Sequence, residues 1–145
     1  MRQLSMKLIG VGLFLGVGLF TWKVVTPLKV WGGDVKACTL ESYQGRYVWA
    51  GGGKNSAVAG LEIYNGDGTM TGVSSDSNNG KITDLLSYTG TYTVNPDCTS
   101  TLTTIDDGTQ EVTHYTQFLG PKGEEFTWIQ TDPGTVSAGF ERRVR

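Results

Sequence analysis

The residues able to do chemistry are few and scattered. His114 is the only histidine and lies in the alternating run VTHYTQF at 112–118. Facing a core, it would be a general base inside a barrel. The sequence places no second titratable group beside it, so the competing reading is a hydrogen-bonded structural side chain. Asp106-Asp107 and Glu124-Glu125 are paired acids, but both fall at turn signals, where solvated carboxylates are common. Glycoside chemistry needs two carboxylates facing one cleft across a sugar, and no spacing in the chain points to that. NGDG at 65–68 and DSNNG at 76–80 mimic calcium loops, yet neither keeps alternate ligands with a terminal glutamate. Gly51-Gly52-Gly53-Lys54 lacks the following Ser/Thr and the strand–loop–helix setting of a phosphate loop. Two cysteines and one histidine cannot build a structural zinc site without carboxylates. No catalytic residue, metal or cofactor is therefore assigned, and the expected protein is more binder or scaffold than enzyme.

What would position any site is a β architecture. From Gly45 onward Gly, Thr and Tyr are frequent and turn signals recur about every ten residues. Strands are predicted over 45–50, 57–64, 69–75, 85–94, 99–105, 110–119, 125–131 and 135–144, with a single helical turn near 81–86. NGDG, NPDC (95–98), DDG (106–108), GPKG (120–123) and DPG (132–134) supply reversals between them. Alternation puts Val112, His114, Thr116 and Phe118 on one face of their strand, with Thr113, Tyr115, Gln117 and Leu119 on the other. In the last strand Val136, Ala138 and Phe140 share a face, with Arg142 following. The fold class expected is all-β, an antiparallel up-and-down barrel of about eight strands, because closure removes exposed edges. A two-layer sandwich is the second choice. A barrel this small is expected to fill itself with its own side chains, using Tyr47, Trp49, Tyr92, Phe118, Phe126, Trp128 and Phe140.

Composition changes near residue 37. Residues 1–37 carry five Lys/Arg against one acid, and residues 38–145 carry seven against thirteen. An acidic folded part argues against nucleic acid as a partner. Cys38 and Cys98 lie outside the apolar N-terminal stretch and, in an exported chain, read as a disulfide.

That stretch, KLIGVGLFLGVGLFTWK at 7–23, is either a signal peptide or an anchor. Residues 8–22 span about 22 Å as a helix, and including the flanking lysines brings this near the ~30 Å of a bilayer core. The chain that follows, TWKVVTPLKVWGG, is bulky and basic, a poor cleavage context. Trp22 and Trp31 suit a membrane interface, while Arg2 and Lys7 place the N-terminus in the cytoplasm. The predicted layout is a transmembrane signal-anchor helix over 1–25, a linker over 26–37, and an extracytoplasmic barrel over 38–145. Gly12 and Gly16 form a GxxxG pair on which another membrane helix can pack.

YTGTYTVNPDCTSTLT (88–103) and WIQTDPGTV (128–136) resemble small, mostly uncharacterised exported bacterial proteins. Those carry a GTYTVNPDCTGTLT-like hairpin and an IQTDPGT-like turn. The resemblance covers roughly the last sixty residues and implies a β-barrel of the calycin or allene-oxide-cyclase-like kind, without an established activity. Ser100 stands where it leads one to expect glycine. Calycin barrels also stack a late-strand Arg across an aromatic of the first strand. The matching residues here are Gly45-Arg46-Tyr47 and Arg142, a closure device resting on cation–π contact.

Two functions are expected from these observations. The first is a non-enzymatic, membrane-anchored accessory or scaffold subunit of a larger membrane complex, of respiratory or photosynthetic type. Its partners are transmembrane helices of other subunits and lipid, with the barrel on the periplasmic side of the inner membrane. The alternative is an exported calycin-like barrel that binds or cyclises a small apolar ligand, lined by some of Tyr47, Trp49, Tyr92, Phe118 and Trp128.

Overall fold

Threonine, valine, isoleucine and tyrosine at alternate positions favour a pleated surface, and this bias runs through the chain with breaks only at Asn, Asp and Gly clusters. The computed structural model describes residues 36–120 and 122–145. The predicted helix over 1–25, its Gly12 and Gly16, and the linker to residue 35 lie outside the described residues. Among the described residues no helix is long and apolar enough to cross a membrane.

A 3₁₀ turn over Leu40–Tyr43 precedes eight strands: β1 (Gly45–Gly53), β2 (Ser56–Tyr64), β3 (Thr69–Asn78), β4 (Lys81–Val94), β5 (Thr99–Asp106), β6 (Val112–Leu119), β7 (Glu125–Gln130) and β8 (Ser137–Val144). Each pairs antiparallel with the next, and β8 returns to β1, so the sheet is a closed up-and-down barrel. The sandwich is thereby excluded.

Local chemistry explains the hairpins. Asn79 and Gly80 both adopt positive φ (49° and 83°), as a two-residue hairpin demands of its Asn-Gly. This lets β3 and β4 run on as one long hairpin, so most of DSNNG and the predicted turn near 81–86 are strand. The glycines 51–53 likewise continue β1 rather than forming a loop. Two turns share one pattern, Asn-x-Asp-x-Thr. In the first, Asp67 Oδ1 accepts the backbone N–H of Thr69 at 2.9 Å, and Asn65 Nδ2 donates to the Thr69 hydroxyl at 2.9 Å. Asp97, Thr99 and Asn95 repeat it at 3.0 and 2.9 Å.

The two ends of the barrel differ. At one, Tyr43 of the 3₁₀ turn drops fully buried among Tyr47, Tyr64, Tyr92 and Phe126, with ring centroids 4.6–6.1 Å away. Such contacts add about 0.5–1.5 kcal/mol each beyond the area they bury. The Cys38–Cys98 disulfide, 60 residues apart in sequence, ties the segment just before this plug to the β4–β5 turn. Arg143 completes the closure: it stacks on Tyr47 with its guanidinium carbon 5.3 Å from the ring centroid, and its Nη2 donates to the Ser42 carbonyl at 2.6 Å. The expectation named Arg142. Arg142 sits opposite Val48 on the outer face, and alternation makes the next residue the inward one.

Interior content also differs from the expectation. Phe118 and Phe140 point outward and are 51% and 54% exposed. They sit in line across β7, each paired with Thr127. Tyr43 and Tyr64 supply interior bulk instead and crowd one end with Tyr47, Tyr92 and Phe126, while Tyr88 and Tyr115 stand further along the barrel. The other end remains hollow.

Candidate functional site

At the end opposite the plug a cavity of about 330 Å³ opens between the strands. This contradicts the expected self-filled barrel, and the reason is packing. Trp49, Tyr88 and Trp128 do not project across the barrel axis; they lie flat over glycines of the adjoining strand. Tyr88 is paired with Gly72 on β3, Trp49 with Gly60 on β2, and Trp128 with Gly139 on β8. A Cβ built at any of these three glycines would run into the partnering ring. Removing one side chain per pair lets the large ring fold down on the sheet, so the walls are aromatic and the centre stays open. Trp128 makes edge contacts with Trp49 at 5.8 Å and Tyr115 at 5.5 Å between centroids.

The cavity floor holds two glutamates. Glu62 on β2 and Glu141 on β8 both flank β1, opposite Tyr47 and Trp49 respectively. Two strands either side of a third, with inward positions in adjacent layers, bring side chains 79 residues apart in sequence into contact. Both are almost fully buried. Glu62 is well provided: Tyr88 donates to Oε1 at 2.7 Å and Tyr64 to Oε2 at 2.7 Å. The chain continues outward through polar groups. Trp49 Nε1 donates to the Tyr88 hydroxyl at 3.1 Å, Gln117 Nε2 donates to the Tyr64 hydroxyl at 3.1 Å, and Ser100 donates to Gln117 Oε1 at 3.0 Å. Ser100 thus adds a buried hydroxyl to this network.

Glu141 is not so provided. No donor reaches its Oε2 among the described residues, and its polar neighbour is the Glu62 carboxyl. Two carboxyls in contact attract only with a proton between them. Burial raises the pKa of Glu62, with hydrogen bonds from Glu141, Tyr88 and Tyr64 pulling the other way. Burial, followed by the charge of Glu62, raises Glu141 well above the usual carboxylate range. The pair therefore shares one proton between its two carboxyls and titrates as a unit. Tyr64 and Tyr88 are pushed up by burial and by Glu62, and Tyr115 is pushed up by burial to about 12, so all three remain phenols.

The sequence-predicted residues are divided by this geometry. Trp49 and Trp128 line the cavity. Tyr47 and Tyr92 belong to the plugged end, where Tyr47 donates to the Gly123 carbonyl at 2.6 Å and Tyr92 accepts the Gly66 N–H at 2.9 Å. Phe118 is on the outer surface, which removes it from the lining. His114 is also outside, with Nδ1 2.7 Å from Asp132 Oδ1, so it is no base within the barrel. Asp106 is at the cavity rim, where its Oδ1 caps the turn by accepting the N–H groups of Gly108 and Thr109 at 2.9 and 2.6 Å. Glu124 and Glu125 lie at the plugged end.

Glu62 and Glu141 are the candidate site residues that sequence reasoning missed. The available signal was an acid inside an otherwise apolar or small-residue alternation: Leu61-Glu62-Ile63-Tyr64 and Gly139-Phe140-Glu141. The arrangement can hold a proton between two carboxyls, accept a hydrogen bond at Glu141 and stack a ligand against rings. Carboxyls in contact leave no room for a sugar ring between them, which separates this pair from a glycosidase pair. Among the described residues no group of three or more His, Cys, Asp or Glu side chains converges on a metal position. Compared with known protein families, with characterised proteins and with solved structures, the chain matches none.

Proposed function

We propose that this chain is a membrane-tethered barrel that binds a small molecule in the cavity between Trp49, Tyr88, Tyr115 and Trp128. The observation that carries the reading is the cavity itself: about 330 Å³, open at one end of a barrel plugged at the other. Its volume is near the lower end of the ~300–1,000 Å³ common for ligand sites, so the occupant is small. The mixed lining of rings and buried polar groups suits a ligand with an apolar body and a polar head rather than a purely apolar one. The glycine–aromatic pairs support this further, since they hold the walls back at the cost of interior packing.

Tethering rests on the apolar stretch at 7–23, and an extracytoplasmic position is supported by the Cys38–Cys98 disulfide. The accessory-subunit reading, with Gly12 and Gly16 packing on a partner's helix, describes where such a binder would be held and is compatible with it. The full-length chain, purified in mild detergent and examined by native mass spectrometry, tests both. A small molecule should travel with the wild-type chain and be lost from Ser74→Trp, which fills the cavity. If nothing travels with it and no member of a broad small-molecule panel raises its melting temperature, the binding reading is wrong. Absence of any co-purifying membrane protein removes the accessory-subunit reading alone.

A further inference from the structure

The charge on the cavity wall is one-sided. Glu62 and Glu141 form the floor, and Asp76, Asp106 and Glu111 stand nearer the mouth; among the described residues no Lys, Arg or His lines it. Lys54 in the β1–β2 turn and Lys81 at the start of β4 are at the same end without being part of the lining. Acids at a rim are by themselves ordinary solvated groups, and Asp106 is already engaged in its turn. Independent of them is Glu141 Oε2, buried at the cavity floor with no donor among the described residues. A buried acceptor left without a donor is destabilising, and a ligand's N–H group relieves it.

Taken with the aromatic walls, we propose that the ligand is an organic ammonium ion, its N–H groups on the Glu62–Glu141 pair and its apolar body against Trp49 and Trp128. This rests on the binding reading above. The face of an indole or phenol ring attracts a cation, more strongly where water is excluded. A metal ion fits less well, because both Glu62 oxygens already accept tyrosine hydroxyls and two carboxyls are too few ligands. Binding moves no electrons. The ammonium brings one positive charge, and the proton held between the glutamates leaves to solvent, so the pair meets the cation with both carboxylates ionised.

Affinity should therefore rise with pH below the amine's own pKa. The groups facing the pair are Tyr43 from the 3₁₀ turn, Tyr47 and Trp49 from β1, Tyr64 from β2, Tyr88 from β4 and Tyr115 from β6, none of them charged near neutrality. Arg143, the next inward residue on β8, gives its guanidinium to Tyr47 and Ser42, and no ion pair joins it to Glu141.

The test is calorimetric titration of the full-length chain in detergent with three matched probes: 2-phenylethylamine, 2-phenylethanol and phenylacetate. The amine should bind at least tenfold tighter than the alcohol, tighten between pH 6 and pH 8, and exceed phenylacetate by more. Glu141→Gln should abolish the preference for amine over alcohol, whereas His114→Gln on the outer face should leave it unchanged. Equal affinity for amine and alcohol would overturn the ammonium inference and leave the binding reading standing. Binding of none of the three, by wild-type chain shown folded by its thermal transition, would overturn the inference. If soaked crystals also show the cavity unentered by any probe, the binding reading falls with it. The wild-type comparison decides the matter even if Glu141→Gln fails to fold.

Discussion

Replacing Glu141 by glutamine should change how stability depends on pH. In the unfolded chain the Glu141 carboxyl titrates near 4.3. In the barrel, burial and the neighbouring Glu62 charge raise it well above that. For an acid whose folded pKa is raised, the folded state holds more protons than the unfolded state. Stability is therefore greatest below the unfolded pKa and falls as pH rises toward the folded one. One extra bound proton changes the folding constant about tenfold, or about 1.4 kcal/mol, per pH unit for as long as the proton stays on. Glutamine keeps an N–H donor toward Glu62 and has nothing to titrate. The variant should match the wild type near pH 5 and gain on it by up to about 1.4 kcal/mol for each further pH unit over which the barrel keeps the proton, a trend measurable against the 5–15 kcal/mol of a whole domain. Urea unfolding followed by circular dichroism at half-unit steps from pH 4 to pH 8, with the disulfide intact, measures this directly. Parallel curves for the two proteins would show that no proton is shared on the cavity floor.

Other outcomes follow from the same structure. Reducing the Cys38–Cys98 bond should cost about 4 kcal/mol by the loop-closure estimate, read as a lower urea midpoint, with Tyr43 becoming accessible to solvent as its tie is cut. Gly72→Ala should destabilise by about 1–3 kcal/mol through overpacking against the Tyr88 ring, and near-ultraviolet circular dichroism should show that ring displaced. Arg143→Met should cost about 1–3 kcal/mol, because the Ser42 carbonyl and Tyr47 hydroxyl lose a charged donor, whereas Arg142→Met should stay within about 0.5 kcal/mol in the same melts. Asp132 is held down to about 2 by the His114 backbone N–H and ring. Its stabilising contribution should be complete above about pH 4 and fade as pH falls toward 2, followed by the carboxyl carbon shift in NMR.

Much of the scaffold was legible because its determinants are local. Asn79-Gly80, Asn65-x-Asp67 and Asn95-x-Asp97 state their turns within four or five residues, and the Thr- and Tyr-rich runs between them state extended strands. The site was not legible in the same way. Val112, His114, Thr116 and Phe118 were grouped correctly on one face, yet nothing local says which face is inside, and the aromatic Phe118 suggested the wrong one. The same ambiguity exchanged Arg142 for Arg143, since a shift of one residue reverses every side chain.

By itself the sequence determined eight strands, their turns, the closure they favour and a cysteine pair in reach of a disulfide, since alternation and turn chemistry act over a few residues. Only the tertiary structure decided that Glu62 and Glu141 meet across β1, that Gly60, Gly72 and Gly139 lie beneath Trp49, Tyr88 and Trp128, and that the barrel is hollow at one end. Those facts depend on register and closure, which place residues from distant strands in one layer. The free energy that raises the Glu141 pKa comes from burial and a neighbouring charge, and both exist only once the sheet has closed.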